Sequence, residues 1–115
     1  MRRRSRVPRQ GEVYRRADTE LPLLVAVASG TIFNSAGTGM TFVCPVLSTL
    51  VEHDDYATWV PFDLPSLVSG GRVRGVVIPE RLYFMPTVGL AHRPSARLPA
   101  PMVQRMRSTI RSIFD

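Results

Sequence analysis

PLLVAVASGTIFN, Pro22 to Asn34, joins a continuous apolar run to a polar loop of Ser, Gly, Thr and Asn with one Phe inside it. The run is of strand length and rich in β-branched residues, which predicts a central strand covered on both faces. The loop that interrupts it, continued through Gly37 and Gly39, predicts a short turn with Ser29 and Asn34 capping backbone groups and Phe33 as its apolar anchor.

The neighbouring segments read as further strands. Gly11 to Ala17 (GEVYRRA) opens on a Gly and carries Val13 and Tyr14, which suits a first strand. Met40 to Thr49 (MTFVCPVLST) gives a third, in which Pro45, lacking an N–H, predicts a strand edge or a bulge. Thr58 to Leu64 alternates as a fourth, and Trp59 within it reads as a residue of the core or of a dimer interface ahead of a base-stacking role. After the turn Ser69-Gly70-Gly71, the segment Arg74 to Pro86 (RGVVIPERLYFMP) gives one strand, or two short ones broken at Pro79. His92 to Pro99 is rich in Pro and Arg, has no periodicity and reads as loop. Pro101 suits the first turn of a helix whose apolar stripe is Met102, Met106, Ile110, Ile113 and Phe114, with Arg105, Arg107 and Arg111 mostly off it. That helix docks on the sheet rather than on a membrane surface. The sum is a mostly β, α+β class: a small, curled antiparallel barrel of five or more strands with a C-terminal α-helix.

The chain of 115 residues suffices for one domain, read as residues 9–115 behind a flexible basic tail, residues 1–8. No apolar run approaches the ~20 residues of a membrane span, and MRRRSR is followed by no apolar signal region. Cys44 is the only cysteine and lies in an apolar run, which excludes an internal disulfide, predicts a buried thiol and fits a cytoplasmic protein. Net charge is +6, and all 15 basic residues are Arg. Guanidinium forks bind phosphate bidentately and stack on bases, so this balance favours a polyanion or an acidic protein partner.

The chemistry-bearing sets are few. His53 with Asp54 and Asp55 is the only His and acid cluster, and His92 is remote, so no metal and no cofactor are expected. Lys is absent, which excludes a P-loop, and neither Ser29 nor Ser48 lies in a nucleophile elbow. What remains is Arg, Ser, Thr, Glu and Tyr at strand ends. That set suffices to cleave RNA, whose ribose 2′-OH is an internal nucleophile. The protein need only move protons and stabilise charge on the phosphate.

Arg9-Gln10-Gly11-Glu12-Val13-Tyr14 resembles the opening of the MazF/PemK toxins of bacterial toxin-antitoxin systems. Val27 to Asn34 is similar to that family's Val-Val-Ser-Asn-Asp-x-Phe-Asn, Phe42 to Ser48 to its third strand, and Val77 to Leu82 to its apolar pair followed by an acid. The matches run in order over residues 9 to 114. The resemblance implies an SH3-like barrel that forms homodimers, cleaves single-stranded mRNA at short sequences without metal, and is blocked by an acidic antitoxin. The family carries its main catalytic Arg just before a Pro in the second strand. The matching position is Leu21 when Pro22 is the anchor and Leu23 when Ser29 and Asn34 are. Arg15 and Arg16 are therefore the expected catalytic arginines, with Ser48 as the hydroxyl; anchoring on Pro45 would select Leu47 instead. Arg9, Ser29, Thr49, Arg72, Arg74, Glu80 and Arg81 are the expected RNA-binding residues. The alternative is the same fold with lost or altered activity, acting by binding an antitoxin or, as in the CcdB-type toxins, gyrase. The ending Ser112-Ile113-Phe114-Asp115 differs from the Trp-Gly-Ile tail of those gyrase poisons. A plain nucleic-acid-binding module would account for the charge but not for the ordered matches.

Overall fold

The structure, a computed structural model, describes residues 7–48 and 57–115. Its elements are β1 (Glu12–Arg15), β2 (Leu24–Val27), α1 (Thr31–Asn34), β3 (Met40–Leu47), β4 (Val60–Pro65), β5 (Arg72–Val77), β6 (Tyr83–Pro86), β7 (Ala96–Arg97) and α2 (Ala100–Ile113). The strands form one antiparallel sheet in the order β4-β5-β3-β2-β1-β7, with β6 on β3. The sheet curls until its ends meet. Leu67 N, after β4, donates to Ser95 O, before β7, at 2.9 Å. The result is the nearly closed barrel with a C-terminal helix that the sequence predicts. Among the described residues no helix is long and apolar enough to cross a membrane.

Alternation divides the apolar residues between two faces. Val13, Ala26, Cys44, Val46, Val60, Phe62 and Val77 form the barrel core, closed at one end by Leu98 and by Met106 of α2. Tyr14, Val25, Val27, Val43, Met85 and Leu90 form a second cluster. The buried run Val25, Ala26, Val27 of β2 thus has cover on both sides, as its composition requires. Burial pushes the Cys44 thiol up to about 12, with the nearby Glu80 carboxylate adding to it. Cys44 therefore stays protonated at pH 8, and a disulfide reagent such as DTNB is expected to label it only after denaturation; labelling of the native protein at the rate of a free thiol would contradict this packing.

The family-like opening is structural. Gly11 has φ +91° and no room for a side chain, since a Cβ there would lie 2.6 Å from Val103 Cγ2 on α2. Glu12 is fully buried; its Oε1 accepts from Arg9 N at 2.7 Å and from the Tyr14 hydroxyl at 2.9 Å, and its Oε2 from Arg97 at 3.3 Å. Residues 1–6 of the expected basic tail lie outside the described residues. Pro8, at the end of that stretch, is buried, and its carbonyl accepts from Asn34 Nδ2 at 2.8 Å.

Three expectations need correction. Pro45 lies at neither an edge nor a bulge but inside an eight-residue central strand. Ala28 N bonds Phe42 O, which turns the Pro45 nitrogen away from β2. There the flanking partner changes from β6, paired with residues 40–43, to β5, paired with 46–47, so the missing N–H costs no ladder bond. His92 to Pro99 is not all loop, because Ala96 and Arg97 pair with β1; two residues carry no readable period. The helix stripe docks only in part. Met106 is buried and Met102 and Ile110 are half-buried, but Ile113 and Phe114 stay exposed. Pro79 does break its segment, opening a single 3₁₀ turn between β5 and β6.

Candidate functional site at the β1–β2 end

The Val27–Asn34 loop is a hydrogen-bonded hub. Ser29 Oγ accepts from Phe42 N at 2.9 Å and bonds Asn34 Oδ1, while Asn34 Nδ2 donates to Ser29 O at 3.0 Å and to Pro8 O. Ser29 and Asn34 thus satisfy backbone groups, as the loop composition predicts, although α1 itself has Gly30 at its N-cap and no side-chain cap. Asn34 is the buried residue of α1, whereas Phe33 is 37% exposed and tilts against Phe42, ring centroids 5.2 Å apart. Sequence position alone could not rank these two.

The β1–β2 register carries the next step. Arg15 pairs with Leu24, and Leu24 with Val46. Extending both ladders by one residue sets Arg16 opposite Leu23 and Leu23 opposite Leu47, and Arg16 N donates to Leu23 O at 2.9 Å. By alternation Arg15 shares the core-side face with Ser48, which follows β3 and is exposed. Arg16 falls on the other face with Leu23, Leu47 and Tyr83. The sheet therefore separates the two expected arginines and brings Arg16 beside Leu23, one of the two positions where the resemblance places an Arg.

Arg16 is held firmly. Its backbone is flanked by bonds from Ala17 N to Gly89 O and from Ala91 N to Arg15 O. Its guanidinium donates to Asp18 through Nε at 2.9 Å and Nη2 at 2.7 Å, and through Nη1 to the Tyr83 hydroxyl at 3.2 Å. The guanidinium carbon also lies 6.0 Å from the Tyr83 ring centroid. The hydrogen bonds to Asp18 are the main cause that raises the Arg16 pKa, and the same bonds hold the Asp18 carboxyl below the usual carboxylate range. Stability from the pair is thus present above the ordinary carboxylate pKa and lost as pH falls through the depressed one. Asp18 and Tyr83 escaped sequence reasoning. The spacing of Arg16 and Asp18 puts both on one side of an extended chain, but nothing in the sequence points to Tyr83, 67 residues away.

The remaining expected residues disperse. Arg72 and Arg74 both face Asp63, at 2.6 and 3.3 Å, and hold its carboxyl below the usual range. Glu80 accepts from Thr58 Oγ1 at 3.0 Å and Trp59 Nε1 at 3.3 Å. Trp59 itself is half-buried beside α2, its carbonyl accepting from Arg105 at 2.8 Å. Arg9 and Arg81 are exposed and, like Arg15, make no ion pair among the described residues. Thr49, His53, Asp54 and Asp55 lie outside the described residues. Among those described, no group of three or more His, Cys, Asp or Glu could hold a metal.

A separate face is apolar. Phe42 lies between Phe33 and Phe84, ring centroids 5.2 and 5.7 Å away, and is shared by two hollows. One, of about 300 Å³, is lined by Ala28, Ser29, Phe42, Leu82, Ile110 and Phe114. The other, of about 240 Å³, includes Phe33, Met40 and Phe84. Neither lining includes a charged residue.

Residues 11–113 match the model of a family described as the type II toxin-antitoxin system toxin Rv0299. The chain belongs to this family. The toxin is also similar in fold to solved structures. A MazE–MazF structure from Deinococcus radiodurans superposes with TM-score 0.70 at 22% identity, over 96% of this chain and 97% of that one. The Mycobacterium tuberculosis toxin MazF-mt6 gives 0.66 at 20% identity, over 90% and 96%. An endoribonuclease from a mycobacterial species gives 0.71 at 15% identity, over 95% and 92%. No curated protein matches the toxin by sequence.

Proposed function

We propose that this toxin is a metal-independent endoribonuclease that cleaves single-stranded mRNA at short sequences in the cytoplasm, with Arg16 as its charge-stabilising group. The observation that carries the reading is the register. Leu23, the position the resemblance selects when Ser29 and Asn34 are the anchors, has Arg16 as its cross-strand neighbour on the same face. Directly opposed residues have Cβ atoms about 4.5–5.5 Å apart, so a long guanidinium from β1 reaches the space that one from β2 would occupy. Backbone bonds on either side fix its root, and preorganised donors are what stabilise a phosphate gaining charge. The similar structures include a mycobacterial endoribonuclease, which supports the same chemistry.

The other roles follow from what each residue faces. Arg9, Arg15 and Arg81 serve as RNA phosphate contacts and Ser48, which follows β3, as a hydroxyl, with Thr49 as a second expected hydroxyl. Ser29 and Glu80, engaged in hydrogen bonds within the fold, contribute through local structure. The partner protein is an acidic antitoxin segment competing with RNA for the arginines; MazE–MazF and an endoribonuclease with its cognate antitoxin are among the similar structures. The toxin acts as a homodimer through the face around Phe42. A chain of charge +6 approaches its own copy most easily across an uncharged patch, and Phe84 and Phe114, 61% and 76% exposed, supply the apolar area. Phe84→Arg is expected to convert the dimer to monomer in sedimentation equilibrium, and an unchanged dimer would refute this face.

The test of activity is direct. The purified toxin, incubated with a long single-stranded RNA in excess EDTA, is expected to cut at a small set of sites, read by mapping 5′ ends. A second reading, binding without cleavage, is favoured by one observation: both Leu21 and Leu23 lack a guanidinium. Intact RNA at every enzyme concentration would select it.

A further inference from the structure

We infer that Arg16 and Tyr83 form a binding site for one RNA phosphodiester, and that Asp18 fills this site in the free protein so that RNA must displace it. The inference rests on the ribonuclease reading for the identity of its ligand. Its geometry stands on the Asp18 contact alone. A carboxylate and a phosphodiester both present two oxygens to a guanidinium fork, and here both Asp18 oxygens are taken, one by Nε and one by Nη2, with Nη1 left for the Tyr83 hydroxyl. The seat for Asp18 is built into the fold. Gly89 lies against it so closely that a Cβ would stand 2.8 Å from Asp18 Oδ2 and 2.9 Å from Met85 Cε. The position is also accessible, since the Arg16 and Asp18 side chains are 25% and 34% exposed. Partial exposure makes the pair weak enough to exchange. Asp18 thus sets the threshold for RNA binding at Arg16 without touching the reacting atoms.

The probe is a short single-stranded oligoribonucleotide with 2′-O-methyl riboses, which cannot be cleaved, titrated at low salt by fluorescence anisotropy. Asp18→Asn is expected to tighten binding about fivefold with little change in the slope of log K against log salt, because the phosphate contact at Arg16 is made in both proteins, whereas Arg16→Gln is expected to flatten that slope by about 0.7, the increment for one phosphate contact on a single strand. Glu20→Gln removes the same charge from the same loop and is expected to change affinity less than about twofold, as exposed charges do when screened. In an Arg16→Gln background the effect of Asp18→Asn is expected to vanish. Asp18→Asn binding no tighter than Glu20→Gln, or tightening equally without Arg16, would overturn the inference. Circular dichroism of each variant controls for folding. Cleavage of unmodified RNA by the wild type is scored separately. Cleavage without the Asp18 effect removes this inference alone, whereas the Asp18 effect without cleavage supports it and removes the nuclease reading alone.

Discussion

Arg16→Ala is expected to lower the rate of RNA cleavage by 10²- to 10³-fold, the range for removing one preorganised donor from a site where negative charge develops. Arg15→Ala is expected to cost less than about tenfold, the scale of a phosphate contact that positions but does not react. The contrast follows from strand geometry. Arg16 shares a face with Leu23, and Arg15 lies on the opposite one. It also follows from fixation, because the Arg16 guanidinium is hydrogen-bonded to the Tyr83 hydroxyl, a contact that displacement of Asp18 leaves in place, whereas the Arg15 side chain is exposed. Initial rates on a fluorogenic single-stranded RNA, with melting curves to establish that both variants fold, make the comparison. Equal rates for the two variants, or a larger loss at Arg15, would place the chemistry on the other face of the sheet.

Met106→Ala is expected to destabilise the toxin by about 3 kcal/mol, within the ~2–5 kcal/mol range for truncating a buried Met to Ala. Met106 is fully buried and closes the barrel core with Val13, Ala26 and Leu98. Truncation leaves a cavity that β1 and β2 cannot fill, because each is held by ladder bonds on both sides. Phe114→Ala, by contrast, is expected to change the stability of the monomer by less than about 0.5 kcal/mol, since its ring is mostly exposed. Urea denaturation with an unchanged m-value measures both. A small loss at Met106 would mean that α2 does not seal the barrel.

Much of the fold was legible because its signals are local. The apolar run before Ser29, the break at Pro79 and the 3–4 spacing from Met102 to Ile110 each specify an element within a few residues of themselves. The errors came where a partner decides the outcome. Pro45 is tolerated in mid-strand because β6 gives way to β5 opposite it, and β7 exists only because β1 offers an edge. The site was less legible for the same reason. The adjacency of Arg16 and Leu23 requires the β1–β2 register, and Tyr83 arrives from a distant strand. A choice between Arg15 and Arg16 is a choice of sheet face, which sequence order cannot make without that register. The opening Gly11-Glu12-Val13-Tyr14, which carried the resemblance, is explained by packing: a glycine against α2 and a buried carboxylate.

With Arg16 supplying charge stabilisation, the ribose 2′-OH is the nucleophile that the toxin needs. The most direct measurement takes one RNA cut at a mapped site and a matched RNA carrying a single 2′-deoxyribose there, both in EDTA. The first is expected to give products with a 2′,3′-cyclic phosphate and a 5′-OH, and the second no cleavage at that site. Cleavage of the deoxy-substituted site at the same rate, with 5′-phosphate ends, would contradict this role of the 2′-OH.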